Sequence, residues 1–304
     1  MYVSRYTFSR WIRNLISLTF LSSLLSAFGV LWLVVNATNF FSPPAGNVIR
    51  GLWWLFLLVG FSYGLFACRP KNRVGCRLQG RDVYIEIVIG DIFKFDGSLI
   101  VGCNTTFDTE LLPHGLISPM RIQGQFTDKY YDDIHQLDSA IEAQLKNIPC
   151  EDINDSRVSK KRLYKIGTVV RVNPKSKNAY LVAMAHINEY GNARGDFEDI
   201  KEALAKLWVF IGERGVRENL VMPVLGTGFA RISETRQEVI EQTVLSFIAA
   251  CSERVFCEKM TIVIFYKDAI QYSIDIEKIG KFINHICEYT KYSNNNKKRG
   301  TAIE

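Results

Sequence analysis

The sequence predicts an α/β domain, built on a mixed β-sheet in three α/β/α layers, preceded by a hairpin of two transmembrane helices. Two observations support this. The chain has 304 residues, of which 48% are hydrophobic, but long uncharged runs occur only up to Cys68. Beyond Asp82, short β-rich runs alternate with amphipathic helical runs, a pattern typical of a sheet covered by helices on both faces.

The first apolar run lies within Leu15–Ile49, which contains no charged residue. Its densest part, Leu15–Val35, would span roughly 31 Å as a helix, close to the ~30 Å hydrocarbon core of a bilayer. The second run, Gly51–Cys68, would span about 27 Å. We therefore expect membrane helices at about residues 15–36 and 51–68.

The segment between these helices contains Pro43, Pro44 and Gly46. Because these residues interrupt helices, we expect a tight loop here. A cleaved signal peptide is the alternative interpretation. It is less favoured, because the first run exceeds an ordinary signal-peptide core, no clear A-x-A site follows, and a second span comes directly after it.

Basic residues flank the two apolar runs unequally. The connection between the runs contains only Arg50, whereas the outer flanks carry Arg5, Arg10, Arg13, Arg69, Lys71, Arg73, Arg77 and Arg81. The positive-inside rule then predicts a multi-pass membrane protein with both termini cytoplasmic. Residues 1–14 would be a cytoplasmic segment and residues 69–81 a basic juxtamembrane linker.

Composition argues against several other classes of site. The net charge of +6 sits largely beside the apolar runs, where it fits lipid headgroups better than nucleic acid. The seven cysteines are scattered, without a C-x-x-C pair, and the four histidines are dispersed. This pattern argues against a disulfide framework and a zinc site, and favours a reducing compartment. We predict no metal and no cofactor.

The soluble domain is expected over residues 82–290, followed by a disordered tail at 291–304. Strand-like runs occur at Val83–Ile89, Leu99–Val101, Val169–Val172, Ala179–Ala185, Leu220–Val224 and Met260–Phe265. Apolar residues at helical spacing occur at 131–148, 197–211 and 279–286. A T-x-x-E capping box at Thr235 and Glu238 predicts a further helix after Ser233. Residues 150–165 are polar and are expected to form an exposed connection. Sheets of this class bind ligands beyond the carboxyl ends of their strands.

The first candidate site is Gly90-Asp91-Ile92, at the end of the first strand-like run. A carboxylate there can accept hydrogen bonds from an amine such as that of adenine. The alternative is a turn aspartate that accepts from nearby backbone N–H groups, and on this residue alone the alternative is favoured.

The second candidate is the glycine-containing segment 224–231, which leaves a strand and enters a helix. Exposed N–H groups in such a loop can bind a phosphate. The segment lacks the Gly-Lys-Ser/Thr ending of a P-loop and the third glycine of the dinucleotide fingerprint. A plain tight turn is about equally consistent with this segment alone.

Together with Asn104, these segments resemble a macro domain, the ADP-ribose-binding α/β module, over roughly residues 80–290. The resemblance implies that Asp91 holds the adenine amine, with Ile92 beside it, and that Asn104 lies at the distal ribose. The loop around the pyrophosphate would comprise Gly226, Thr227, Gly228, Phe229 and Ala230.

The chain departs from macro-domain hydrolases after Asn104. Those enzymes carry an N-x-A-N element followed by a run of glycines, whereas this chain has no glycine run at 102–108. The departure puts hydrolysis in doubt and predicts a binding module without catalytic residues. The replacement segment at 118–126 would cover the distal end, where Arg121, Gln125 and Arg231 are possible contacts to an attached group.

A two-helix anchor before such a domain resembles the transmembrane–macro effectors of type II Thoeris, a bacterial anti-phage system. The resemblance implies a TIR-domain partner that makes a histidine–ADP-ribose signal, which the macro domain binds. The chain would lie in the inner membrane, and homo-oligomerisation and damage to the lipid bilayer would follow, leading to abortive infection. Two alternatives remain open: a membrane-tethered ADP-ribosyl hydrolase, and a passive protein that recruits ADP-ribosylated partners.

Overall fold

The computed structural model describes residues 8, 10–12, 14–153, 160–187, 193–226 and 234–290. The chain divides into two compact units, Met1–Asn72 and Arg73–Glu304. The first consists of apolar helices, and the second is an α/β domain.

The first unit is built from the helices α1 (Leu18–Phe41), α2 (Pro43–Gly51) and α3 (Trp53–Ala67). The expectation of a tight loop between the apolar helices was wrong, because α1 continues to Phe41 and α2 starts directly after a break at Ser42. Two prolines at the start of a helix are compatible with helical structure, since the first N–H groups of a helix have no intrahelical partner.

One helix in the described part of the chain is long and apolar enough to cross a membrane. This span is Phe20–Phe41 within α1, which has 22 residues and contains no charged side chain. Helix α3 is also apolar but shorter, so it is a weaker candidate for a second span.

Helices α1 and α3 pack through glycine. Gly60 and Gly64 are the buried residues of α3, and a Cβ atom on Gly64 would lie 2.8 Å from the Phe20 ring. Two glycines four residues apart permit close approach of helices in membranes. The chain before α1 also contacts the end of α3, because Trp11 Nε1 donates to the Leu65 carbonyl (3.0 Å) and Asn14 Nδ2 to the Cys68 carbonyl (3.1 Å).

The second unit contains ten described strands and six described helices. The strands are β1 (Arg73–Arg77), β2 (Tyr84–Gly90), β3 (Ser98–Asn104), β4 (Cys150–Asp152), β5 (Arg162–Tyr164), β6 (Val169–Val172), β7 (Ala179–Ile187), β8 (Ala193–Arg194), β9 (Leu220–Pro223) and β10 (Lys259–Phe265). The helices are α4 (Ile122–Tyr130), α5 (Ile134–Leu145), α6 (Phe197–Arg214), α7 (Arg236–Glu253), α8 (Tyr266–Gln271) and α9 (Ile276–Tyr289).

The main sheet has the order β1-β2-β10-β9-β3-β7-β6, with β8 paired to β7. Neighbours from β2 through β7 are parallel, whereas β1 and β6 run antiparallel at the edges. The mixed sheet is as predicted. Because the five central strands share one direction, their carboxyl ends form a single edge.

Helices cover both faces of this sheet. Alternate strand residues such as Leu99, Val101 and Cys103 form a core with Phe126 of α4 and with the buried face of α5. The intervening residues point to the other face, where Tyr180 of β7 contacts the Phe210 ring of α6 at 6.3 Å. The three-layer prediction is confirmed.

Some elements differ from expectation. The stretch assigned to a basic linker contains β1, whose basic residues lie at the edge of the sheet. The polar connection at 150–165 contains the small antiparallel pair β4–β5. The helix expected at 131–148 starts at Ile134, and Tyr131 instead ends α4. Polar strands and a short glycine-containing helix have weak periodic patterns, which explains why they were not predicted.

A buried carboxylate joins the first strands of the sheet. Glu86 of β2 is 1% exposed and pairs with Arg73 Nε of β1 (3.0 Å) and with Lys259 Nζ of β10 (2.7 Å). The Thr261 hydroxyl also donates to it (3.4 Å). Burial of this charge is therefore compensated from both neighbouring strands.

The opposite edge of the sheet is closed by a side chain. The Arg171 N–H of β6 donates to Gln144 Oε1 of α5 (3.1 Å), and Gln144 Nε2 donates to the Arg171 carbonyl. The amide thus satisfies the outward backbone groups of Arg171 as a neighbouring strand would.

The structure contains a disulfide, whereas the scattered cysteines of the sequence argued against a disulfide framework. It joins Cys76 of β1 to Cys287 of α9, with Cα atoms 6.5 Å apart. The two cysteines are 211 residues apart in sequence, so only the packing of the last helix on the first strand brings them together.

Candidate ligand-binding cleft

A cleft of about 430 Å³ lies at the carboxyl ends of β2, β10, β9, β3 and β7. Its floor is formed by strand ends, and its walls by the chain at 116–125 and by α8. The sequence analysis predicted a site at this edge. The cleft lining includes Asp91, Ile92, Asn104, Arg121, Gln125 and Gly226.

Asp91 follows β2 and caps a short 3-10 turn, where its Oδ1 accepts from the Phe93 N–H at 3.1 Å. The turn interpretation is thus realised in the structure. Asp91 nevertheless lines the cleft beside the buried Ile92. A carboxylate has about four acceptor positions, so capping one N–H leaves acceptor capacity for a ligand.

Asn104 ends β3 and is 6% exposed. Its Oδ1 accepts from the Asp108 N–H (3.0 Å) and the Thr106 hydroxyl (3.2 Å), and its Nδ2 donates to Asp108 Oδ2 (3.1 Å). The carboxamide therefore closes the loop at 104–108 as well as lining the cleft.

Phe107 holds this loop in an unusual conformation. Its φ is +52°, in the left-handed region that residues with side chains seldom adopt. Its ring is fully buried and meets Tyr164 edge-on at 5.8 Å. Lys160 Nζ donates to the Phe107 carbonyl (2.8 Å) and pairs with Asp138 (2.6 Å). Packing and hydrogen bonds thus fix the segment that follows Asn104, where the sequence analysis noted the absence of a glycine run.

The end of β9 contributes Pro223, Val224, Leu225 and Gly226 to the cleft. Gly226 has a φ of +70°, which aims successive N–H groups differently from a strand and favours glycine. The other predicted loop residues, Thr227, Gly228, Phe229, Ala230 and Arg231, lie outside the described residues.

The wall at 116–125 carries two predicted distal contacts. Arg121 precedes α4 and is exposed, and Gln125 Nε2 donates to the Met120 carbonyl at 2.8 Å. Gly124 lets α4 pack on this wall, since a Cβ there would lie 2.3 Å from the Ser118 carbonyl oxygen.

The wall formed by α8 was not predicted. It follows β10 and brings Lys267, Asp268 and Gln271 to the cleft, next to Phe265 at the end of that strand. The signal was present in the sequence, because these residues follow a buried strand-like run just as Asp91 does. Applying the carboxyl-end rule to every strand would have found them.

Burial raises the pKa of two ionisable side chains in the cleft lining, Cys103 and Asp268. It raises the pKa of the Cys103 thiol to about 12, although the Lys160 charge opposes this. Cys103 is therefore a neutral thiol at physiological pH rather than a nucleophilic thiolate. Burial also raises the pKa of the Asp268 carboxyl, against the lowering effects of Arg236 and then Arg121. Among the residues that the structure describes, no His, Cys, Asp and Glu cluster could hold a metal ion.

The chain is similar in sequence to a known protein and in fold to several solved structures. The chain is 26% identical over 190 residues to Thoeris protein ThsA of Bacillus amyloliquefaciens (strain Y2), and the match spans 60% of the length of each protein. Solved structures of low identity also match. The Oceanobacillus iheyensis macrodomain with ADP has a TM-score of 0.48 at 15% identity, covering 71% of this chain and 100% of that one. The same macrodomain with MES bound has the same TM-score and identity, covering 70% and 100%.

The family comparison covers more than half of the chain. The family described as Thoeris protein ThsA, Macro domain, matches residues 85–265. This match runs from β2 to the end of β10 and includes the strand ends that form the cleft floor. The chain therefore belongs to the family of Thoeris ThsA macro-domain proteins.

Proposed function

We propose that this chain is a membrane-anchored effector of bacterial anti-phage defence whose macro domain binds an ADP-ribose-derived signal. The signal would be of the histidine–ADP-ribose type and be made by a TIR-domain partner. Its binding would cause the chain to self-associate and disrupt the membrane. The cytoplasmic domain is thus the sensor and the N-terminal helices are the output.

The order of chemical groups along the cleft carries this proposal. Asp91 follows β2, Gly226 follows β9 and Asn104 ends β3, in a sheet ordered β2-β10-β9-β3. Adjacent strands lie about 4.8 Å apart. An extended ligand along this edge would then meet three groups in turn. These are the Asp91 carboxylate, which can accept from an amine, the loop at Gly226, which is suited to phosphates, and the Asn104 amide, which can bind a sugar. Adenine, pyrophosphate and distal ribose have the same order.

The fixed loop after Asn104 favours binding over hydrolysis. A hydrolase must position water and adjust to the transition state beside the distal ribose. Here the buried Phe107 ring and the Lys160 contact hold the loop in one conformation. We expect turnover of ADP-ribose conjugates to be far below about 1 per second, an ordinary enzymatic rate.

Helix α1 supports a membrane role through its length and composition. We propose that α3 forms a second span, with any mismatch taken up by tilt or local thinning of the bilayer. A face of α1 with the exposed residues Ser22 and Ser26 and with open space at Gly29 is suited to close packing between copies. Self-association through such a face would gather several hairpins in one area of bilayer.

Binding can be tested by calorimetry on the full-length chain in detergent, with ADP-ribose and its histidine conjugate as probes. Asp91→Ala should lose about 1.5–3 kcal/mol of binding free energy, the contribution of a hydrogen bond to a charged group. Asp91→Asn is the matched variant, because its oxygen can still cap the Phe93 N–H. It should also bind weakly, since an amide N–H₂ would face the amine.

Gly228→Val should weaken binding further, because the resemblance places this residue in the pyrophosphate loop, where a branched side chain would fill the space of a phosphate. If Asp91→Asn and Gly228→Val both fold and keep full affinity, the ligand site lies elsewhere.

The effector step can be tested with full-length chain in dye-loaded liposomes. The histidine conjugate should increase both the oligomeric mass and the dye release, and Asp91→Asn should suppress both at low ligand. Tight binding without a change in mass or leakage would favour passive recruitment. Release of free histidine at enzymatic rates would favour a hydrolase.

A further inference from the structure

The order of strands also locates the part of the ligand between adenine and pyrophosphate. Strand β10 lies between β2 and β9 and is parallel to both. If the adenine amine meets Asp91 and the phosphates meet the loop after β9, the connecting sugar must cross the end of β10. The end of β10 lies about 5 Å from the end of β2 and about 5 Å from the end of β9, the spacing of adjacent strands.

The cleft residues at the end of β10 are Phe265, Lys267, Asp268 and Gln271. Asp268 is of particular interest, because Asp91 and Asp268 are the two acidic residues among the described residues that line the cleft. A second carboxylate repels a ligand with two phosphate charges unless the ligand offers hydrogen-bond donors at that point. The sugar next to adenine offers such donors, the adjacent 2′ and 3′ hydroxyls.

We propose that Asp268 accepts hydrogen bonds from the 2′ and 3′ hydroxyls of the adenosine ribose and thereby excludes ligands with a 2′-phosphate. This inference rests on the proposed function, since it takes the adenine and phosphate positions from it. It assigns the signal to ligands derived from NAD rather than NADP. A carboxylate makes the same distinction in dinucleotide-binding folds, where it binds the 2′ hydroxyl.

The charged groups around Asp268 are compatible with this role. Arg236 and Arg121 oppose the effect of burial on its pKa and so favour the carboxylate form. Arg236 itself lies over the Tyr272 ring at 4.5 Å. Lys267 and Arg121 also line the cleft, and these two cations could attract a 2′-phosphate. The affinity for a ligand with a 2′-phosphate therefore shows whether repulsion by the Asp268 carboxylate outweighs attraction by Lys267 and Arg121.

The test compares three probes on the full-length chain in detergent: ADP-ribose, its 2′-phosphate on the adenosine ribose, and the corresponding 2′-deoxy compound. Wild type should bind the 2′-phosphate at least about tenfold more weakly than ADP-ribose. Asp268→Asn should reduce this ratio severalfold and should bind ADP-ribose and the 2′-deoxy compound almost equally. Asp128→Asn is the control, since Asp128 is an exposed residue of α4 outside the cleft lining.

Two results would overturn the assignment: equal or tighter binding of the 2′-phosphate by wild type, or an unchanged ratio in Asp268→Asn. Failure of wild type to bind ADP-ribose and its histidine conjugate is a different result. It would reject the proposed function, and the inference with it. Normal ADP-ribose binding without 2′ discrimination would reject only the role of Asp268.

Discussion

Asp91 is held in place by the short turn that follows β2. Its carboxylate caps the Phe93 N–H, and the same residue lines the cleft. The cap fixes the side chain in place, which lowers the entropy lost when a ligand binds. A structural contact of this kind is therefore compatible with a binding role.

Asp268 should lower the stability of the folded chain at neutral pH. Burial raises its pKa in the folded state, so the folded state binds the proton more tightly than the unfolded state. The charged form is then unfavourable above the raised pKa. We expect Asp268→Asn to raise the melting temperature at pH 7 by about 2 °C, a shift consistent with less than 1 kcal/mol in a domain of this size.

The gain in melting temperature of Asp268→Asn should depend on pH, because it comes from removing a charge. As the pH falls through the raised pKa of Asp268, the wild-type carboxyl becomes neutral and the advantage of the asparagine should disappear. Thermal melts of both chains without ligand, from pH 7 down to pH 4, measure this directly. A gain that is constant with pH would indicate a packing effect instead.

At the scale of elements, Glu86 links β2 to β1 and β10 through its ion pairs. Lys259→Met should destabilise the domain by about 2 kcal/mol or more, because it leaves a buried carboxylate with only part of its compensation. The double variant E86Q/K259M should be more stable than K259M alone, since it also removes the buried charge.

Urea unfolding of the full-length chain in detergent, followed by circular dichroism, gives these differences. Lys201→Met is the control, because Lys201 pairs with an exposed glutamate on the surface of α6. Additive losses in the double variant would show that the ion pairs are not coupled.

The elements differ in how well the sequence predicted them. Helix α6 was predicted because it has helical apolar spacing, and α7 because of the Thr235–Glu238 capping box, which the structure contains. Strand β1 was missed because it is short and basic. The site followed the same division. Asp91 and Gly226, which the sequence analysis had placed in a site, line the cleft, whereas Asp268 was missed because the carboxyl-end rule was not applied to the strand-like run before it.

At the scale of the whole molecule, the topology prediction can be tested by cysteine labelling. A cysteine at Ser42 should react with an impermeant maleimide on intact spheroplasts, because the charge asymmetry places the connection between α1 and α3 outside. A cysteine at Lys71 should react only after the membrane is permeabilised. The unsubstituted chain is the control for its natural cysteines, and reversed labelling would contradict the predicted orientation.

Under the proposed function, coupling between ligand and membrane depends on how directly the macro domain is joined to the apolar helices. Helix α3 ends at Ala67 and β1 begins at Arg73, so residues 68–72 form the whole connection. A short connection that includes Pro70 restricts the conformations available to the chain. A change in the position of β1 would therefore be passed to α3 rather than absorbed by a long linker.

The amide of Gln144 limits how copies of this chain can add to one another's sheets. Unlimited growth of a fibre by strand addition needs two free edges on each copy. Gln144 occupies the backbone of Arg171 at the β6 edge, which leaves the β1 edge for such pairing. Two copies joined through β1 would use up that edge on both, and growth would stop at a pair. A larger cluster would have to form through helical surfaces, because Gln144 already occupies the backbone groups of Arg171 at the β6 edge.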